Sequence, residues 1–188
     1  PEYIQCDTGK NQKPRVMSAA RLGKGAMQIS GSVQTLDQDV LKNIKRDNIK
    51  ADGLMQLAVE AAEIDADSRS EIILALPGES LQSHFKTIRQ VIEAGFSHVN
   101  TYQLMMLPGT EMGSPETREK YQMETRYRVL SRCFGYYDIF GKTTTAAEIE
   151  EICVSTNTLS FEDYIECRKM HLMVHIFYND RLFNSALK

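Results

Sequence analysis

The chain writes one short sentence twice. "EIILALPGES" occupies residues 71–80 and "YQLMMLPGTE" residues 102–111, so Leu76-Pro77-Gly78 recurs as Leu107-Pro108-Gly109. Each copy is an apolar run that stops at Pro-Gly, with an acidic residue just beyond, Glu79 or Glu111. The first run, 70–76, is apolar on both faces, as a strand covered on both sides of a parallel sheet tends to be. Ser80 then caps a helix that buries Leu81, Phe85, Ile88, Val91 and Ile92 and stops at Gly95. The next strand is 97–107. Strand, helix and strand joined by loops this short specify parallel βα units, so the two turns are successive βα loops at one end of a single sheet.

The same alternation extends upstream. Residues 2–8 suit a short strand, 14–25 a helix ended by glycine, and 26–34 a weakly alternating strand. Asp37 sits where an N-cap belongs, ahead of Val40, Leu41 and Ile44, and a second helix carries Leu54, Leu57, Ala58 and Ala61 on one face. Beyond about residue 115 the pattern reads as all helix. "ETREKYQMETRYRVLSRCFGYYDIF" is polar and periodic. Thr145 to Glu148 and Ser160 to Asp163 form capping boxes for helices over "AAEIEEICV" and from Phe161. The expected fold class is therefore α/β, with parallel βα units over 1–113 and an α-helical C-terminal region over 114–188.

At 188 residues, with 42% hydrophobic and 25% charged side chains, the chain can bury a sizeable core and is not globally disordered. A net charge of −3 gives no electrostatic case for nucleic acid or an anionic membrane as a main partner. No apolar run approaches the roughly 20 residues that cross a bilayer, and no basic-then-apolar leader opens the chain, so the expected location is cytoplasmic. Cys6, Cys133, Cys153 and Cys167 have no close neighbours in sequence and read as buried thiols, not as a local metal-ligand set.

Other candidates fail on spacing. "GYYDIFGKT" has five residues between Gly135 and Gly141 where a phosphate loop needs four, and "GKGAMQ" lacks the third glycine of a dinucleotide fingerprint. Cys167, His171 and His175 recur at every fourth position of the last helix, a spacing that can hold zinc. That helix is apolar almost all round, which favours packed or interfacial histidines.

Ligands of parallel βα arrays bind at the C-terminal strand ends. There this chain offers Ser32, Gln34 and Thr35, then Glu71 and Glu79, then Thr110 and Glu111, with Arg46 folding back from a short helix. Arg takes a carboxylate in a bidentate pair, Gln bonds an amine or hydroxyl, and an acid bonds ribose hydroxyls. The set could bind an amino-acid-bearing nucleoside, but spacing alone favours solvated loop residues.

"GSVQTLDQDVLKNIKRDNI" (31–49) resembles the segment G-V-Q-S-x-D-x-x-V-L-K-x-I-x-R of radical S-adenosylmethionine (SAM) enzymes. "EIILALPGES" resembles their E-I-I-L-G-L-P-G-E-T, with Ala75 where glycine is usual, and "VNTYQLMMLPGTEM" their next strand. The resemblance covers about residues 26–112, closest to a branch that often carries a cobalamin-binding domain. It implies a full or partial (β/α) TIM-like barrel whose third to sixth strands begin near residue 2. It also implies SAM contacts by Ser32, Gln34 at the methionine or ribose end, Arg46 on the methionine carboxylate and Glu71 near the ribose. Ile73 and the backbone around Leu104 and Met105 match adenine-contacting positions.

In that family a [4Fe–4S] cluster, held by three cysteines in C-x-x-x-C-x-x-C, cleaves SAM to a 5′-deoxyadenosyl radical. This chain has no such pattern. Two expectations follow: a C-terminal fragment of a radical SAM enzyme that abstracts hydrogen or transfers methyl to an unknown substrate, or a cluster-less, non-catalytic βα scaffold that binds protein partners through its apolar helical tail. A different barrel enzyme, using the same strand ends for phosphate or sugar, lacks a glycine-rich loop. An open half-barrel also exposes an edge strand, which predicts a homo-oligomer.

Overall fold

The computed structural model describes residues 4–5, 13–23, 27–46, 51–63, 67–179, 183 and 185. Four strands, β1 (Ile4–Gln5), β2 (Met27–Ser30), β3 (Ser68–Leu74) and β4 (His98–Gln103), lie side by side in chain order, and every pairing is parallel. Helix α1 (Lys13–Leu22) connects β1 to β2, α2 (Gln38–Asn43) and α3 (Ala51–Glu63) connect β2 to β3, and α4 (Leu81–Glu93) connects β3 to β4. The outer residues of the strand expected over 2–8 lie outside the described residues. Asp37 caps α2 by accepting from the backbone N–H of Asp39 and Val40, and Ser80 and Ser83 form a reciprocal capping box on α4.

Two buried clusters organise the packing. Ile29, Val33, Ile72, Val99 and Phe96 pack with Met17, Ala58, Ala61, Ile88 and Val91 of the helices. At the C-terminal strand ends, Leu74, Leu76, Leu104 and Met106 pack with Val40, Ile152, Val154, Leu159, Tyr164 and Cys167. The free side of β4 is not bare. The Asn179 side chain pairs with both the N–H and the C=O of Val99 (2.9 and 3.1 Å), and residues 151–153 pair with the chain beyond the strand.

The two Leu-Pro-Gly copies are the same turn. The N–H of Glu79 donates to the Leu76 carbonyl (2.9 Å) and that of Thr110 to the Leu107 carbonyl (3.3 Å), with Gly78 at φ +86° and Gly109 at φ +78°. Proline second and a left-handed glycine third is the type II pattern. The first copy is buried and the second exposed. At Gly78 an added Cβ would lie 2.5 Å from Nδ2 of Asn43, an amide that donates to the Pro77 carbonyl (2.9 Å).

Residues 124–155 depart from the helical expectation. After a short α5 (Pro115–Lys120), strands β5 (Glu124–Ile139) and β6 (Lys142–Ser155) form a long antiparallel hairpin, followed by α6 (Phe161–Met173), capped by Ser160 as expected, and a π-helical turn Val174–Tyr178. The hairpin closes on Phe140-Gly141, both at positive φ (51° and 77°), the two-residue turn whose twist matches paired strands. The β-branched and aromatic residues Thr125, Tyr127, Val129, Phe134, Tyr136 and Ile139 of β5, and Thr143, Thr144, Thr145 and Ile149 of β6, favour extended backbone over helix. The Thr145-to-Glu148 spacing is thus not a helix cap; it lies mid-strand.

The glycines separate the two turns experimentally. Gly78→Ala combines left-handed strain with a clash against Asn43 and is expected to destabilise by about 2 kcal/mol or more. Gly109→Ala, with open space around it, meets the strain alone, about 1 kcal/mol. Urea denaturation of both variants checks the difference, and equal losses would contradict this account.

Candidate functional site

The C-terminal ends of β3 and β4 border a cleft of about 530 Å³, lined by Gln34, Ile44, Glu71, Ile73, Leu76, Tyr102, Gln103, Leu104, Met105, Leu107, Thr110, Met112 and Arg128. Its floor follows from strand alternation. Ile72 and Leu74 are buried on one face of β3, so Glu71 and Ile73 project, half-buried, from the other. Gln34 continues the line of β2 alongside β3, its N–H donating to the Glu71 carbonyl (2.8 Å) and its carbonyl accepting from Ile73 N–H (2.9 Å). It does so at φ +60°, in the left-handed region that a residue with a side chain seldom visits.

Five of the residues expected at the site therefore line one cleft: Gln34, Glu71, Ile73, Leu104 and Met105. Ser32 and Arg46 are not among the lining residues and connect to Glu71 instead. Ser32 Oγ donates to Glu71 Oε2 (2.7 Å), and Arg46 Nη2 donates to the Ser32 carbonyl (2.9 Å). Burial pushes the Arg46 guanidinium below its ordinary value, and the Glu71 carboxylate opposes that shift. The backbone of Leu104 already carries two bonds, its N–H donating to the Leu74 carbonyl and its C=O accepting from the Cys153 N–H, both 2.9 Å, which leaves the second lone pair of that carbonyl for an adenine edge.

The remaining acids go elsewhere. Glu111 pairs with the exposed Lys45 (2.6 Å) beside a second, polar cleft of about 560 Å³. Glu79 is fully buried beneath the first turn.

Arg128 is the contribution that the sequence reading lacked. It projects from β5 to the cleft and bonds Gln103 Oε1 and Glu150 Oε1. Because 124–139 read as helix, no distant strand was expected there; the signal was the alternation of Thr125, Tyr127 and Val129 with Arg126 and Arg128. The hairpin base is held by backbone bonds to Leu104 and Met106 and by Arg118, which grips Glu151 with both nitrogens (2.6 and 2.8 Å) while Thr125 adds a third contact (2.6 Å). The Arg118 bond holds the Glu151 carboxyl at about 2, well below the usual carboxylate range.

The metal alternative does not assemble. Cys167 and His171 are buried while His175 is exposed. Both ring nitrogens of His171 are engaged, by His84 (2.7 Å) and Arg168 (3.0 Å). Among the described residues no group of three His, Cys, Asp or Glu can hold a metal ion. Burial raises the thiols of Cys153 to about 11 and Cys167 to about 12, so they are poor ligands at neutral pH. Cys6 lies outside the described residues. No helix among the described residues is long and apolar enough to cross a membrane.

No family model matches the chain. It is similar to radical SAM methyltransferases. It is 27% identical over 183 residues to the cobalamin-dependent radical SAM methyltransferase TokK of Streptomyces tokunonensis, covering 95% of this chain and 26% of the relative. The 2-(S-pantetheinyl)-carbapenam-3-carboxylate methyltransferase of Streptantibioticus cattleyicolor matches equally, 27% over 183 residues, with the same coverage of 95% and 26%. The chain thus spans about a quarter of the length of these relatives. Among solved structures, coproporphyrinogen III oxidase (HemN) from Escherichia coli, a radical SAM enzyme, aligns with a TM-score of 0.49 and 20% identity, over 62% of this chain and 29% of that one.

Two outcomes are expected from these environments. With Glu151 depressed to about 2, its contribution is complete above its unfolded value of roughly 4.5 and is lost as pH falls toward 2. Glu151→Gln should flatten that part of an acid-denaturation curve, and an unchanged curve would remove the pair from the account. Iodoacetamide at pH 8 should label Cys133, which is partly exposed, well before Cys153 or Cys167, as read by peptide mass spectrometry.

Proposed function

We propose that this chain is the later part of a radical SAM catalytic barrel and supplies one wall of its SAM pocket within a longer cobalamin-dependent methyltransferase. The carrying observation is the single cleft at the C-terminal ends of β3 and β4 that gathers Gln34, Glu71, Ile73, Leu104 and Met105. The similarity to TokK over 95% of the chain supports the reaction class. The chain's 26% share of that relative's length supports a longer parent, in which residues outside these strands hold the [4Fe–4S] cluster and the cobalamin.

The donor set fits the nucleoside. A cleft of about 530 Å³ is the size of a small-molecule site, and its few polar groups stand among apolar walls. Ile73 and Met105 flank the adenine, Glu71 accepts from ribose hydroxyls, and Gln34 bonds the methionine or ribose end. Arg46, held near Glu71 through Ser32, swings to the methionine carboxylate. Bound there, SAM supplies the methyl group or the hydrogen-abstracting chemistry of the parent; this chain's residues bind and orient it and exclude water.

Gln34→Ala combined with Arg46→Ala removes two polar contacts, one of them charged. Affinity for SAM or S-adenosylhomocysteine is expected to fall at least about 100-fold, since charge-assisted bonds contribute about 1.5–3 kcal/mol and each 1.4 kcal/mol is tenfold. Titration calorimetry on the whole protein tests this. Unchanged affinity overturns the assignment and favours a non-catalytic scaffold.

A further inference from the structure

Beneath the cleft runs a chain of buried groups that no cofactor contact uses. Glu79 and His84 are both fully buried, with Glu79 Oε1 2.9 Å from His84 Nδ1. The other oxygen, Oε2, accepts from the backbone N–H of Ala75 (2.8 Å) and Leu76 (3.4 Å). His84 Nε2 lies 2.7 Å from Nε2 of His171, whose Nδ1 lies 3.0 Å from Arg168 Nη1.

The direction of every bond follows from chemistry. A guanidinium only donates, so His171 Nδ1 accepts and its proton sits on Nε2. That proton points at His84 Nε2, which leaves the His84 proton on Nδ1, aimed at the carboxylate. Burial first, then His84 and Arg168, keeps His171 uncharged, its value lowered to about 2. The chain runs one way, from α6 to the loop after β3.

What it holds is a strained residue. Ala75 is fully buried at φ +68°, a conformation natural to glycine. It sits between Ile73 and Leu76, both of which line the cleft. The carbonyl of Glu79 also accepts from Thr158 Oγ1 (2.7 Å), a second tie to the segment leading into α6.

We propose that Glu79, His84 and His171 are positioning residues for the cleft: they keep Ala75 left-handed, and so set the wall formed by Ile73 and Leu76, and make that setting depend on α6 being seated. This rests on reading the cleft as the SAM pocket. Glu79→Gln reverses the chain, because the amide now donates to His84 Nδ1, the imidazoles switch tautomer, and His171 Nδ1–H confronts Arg168. Ala75→Gly removes the need for support, since glycine takes the conformation without strain.

The test is a double-mutant cycle on the whole protein, using Glu79→Gln, Ala75→Gly and both together. Two quantities are read: S-adenosylhomocysteine affinity by calorimetry, and ligand-free amide exchange of the segment 73–79. Glu79→Gln alone is expected to weaken binding about tenfold and to speed exchange about tenfold. In the Ala75→Gly background the affinity loss should shrink to about threefold or less. A loss of the same size in both backgrounds overturns the proposal, because a general packing defect would not be rescued at Ala75. If the unmutated protein does not bind the probe but exchange shows the coupling, the pocket reading fails and the positioning device stands. If Glu79→Gln does not fold, His171→Gln cuts the chain one link further out and is judged by the same two outcomes.

Discussion

The structure turns on a carboxylate placed where no water reaches it. A carboxyl group in such a sealed position is tolerable only if each oxygen finds a partner. Two backbone amides and one imidazole meet that need. The donors come from two pieces, the end of β3 and helix α4, and His171 of helix α6 orients the imidazole in turn. Satisfying this one side chain therefore ties three elements together. The same demand explains why the first Leu-Pro-Gly turn is buried while the second, whose Glu111 reaches solvent and Lys45, is not.

Two of the left-handed residues that carry side chains lie at the same end of the sheet. Gln34 and Ala75 both carry side chains in the left-handed region, and both flank β3 where it meets the cleft. Such strain persists only where surroundings over-determine it. Gln34 is held by its pair of backbone bonds to β3, Ala75 by Glu79. In the motif that this segment resembles, glycine stands at the Ala75 position. Here the methyl group remains, and the buried relay stands where glycine's freedom would otherwise suffice.

Much of the fold was legible because it is local. The strands at 68–74 and 98–103, the caps Asp37, Ser80 and Ser160, and the left-handed glycines all follow from short-range chemistry in "LPGE", "LPGT" and the capping boxes. Five of the expected site residues meet on one cleft because strand alternation alone puts Glu71 and Ile73 on one face. The hairpin is not legible in the sequence because its polar residues, Arg126, Arg128, Glu148 and Glu150, satisfy a helical period as readily as a strand's when no partner is known. His84 is not legible either, because one polar residue within an apolar helix face carries no signal until the groups facing it are known.

The amino-acid sequence by itself determined the βα alternation, the repeated turn and the row of polar residues at the strand ends, because each depends on residues a few positions apart. Only the tertiary structure decided which of those polar groups face a cavity and which are consumed as internal partners. Glu71 and Glu79 are the same residue type eight positions apart, yet one borders the cleft and the other is sealed in the core. The difference lies in long-range partners: Ser32 for the first, His84 and, beyond it, His171 for the second. Arg128 likewise reaches the cleft only because β6 pairs across to Leu104 and Met106, a contact between residues more than forty positions apart.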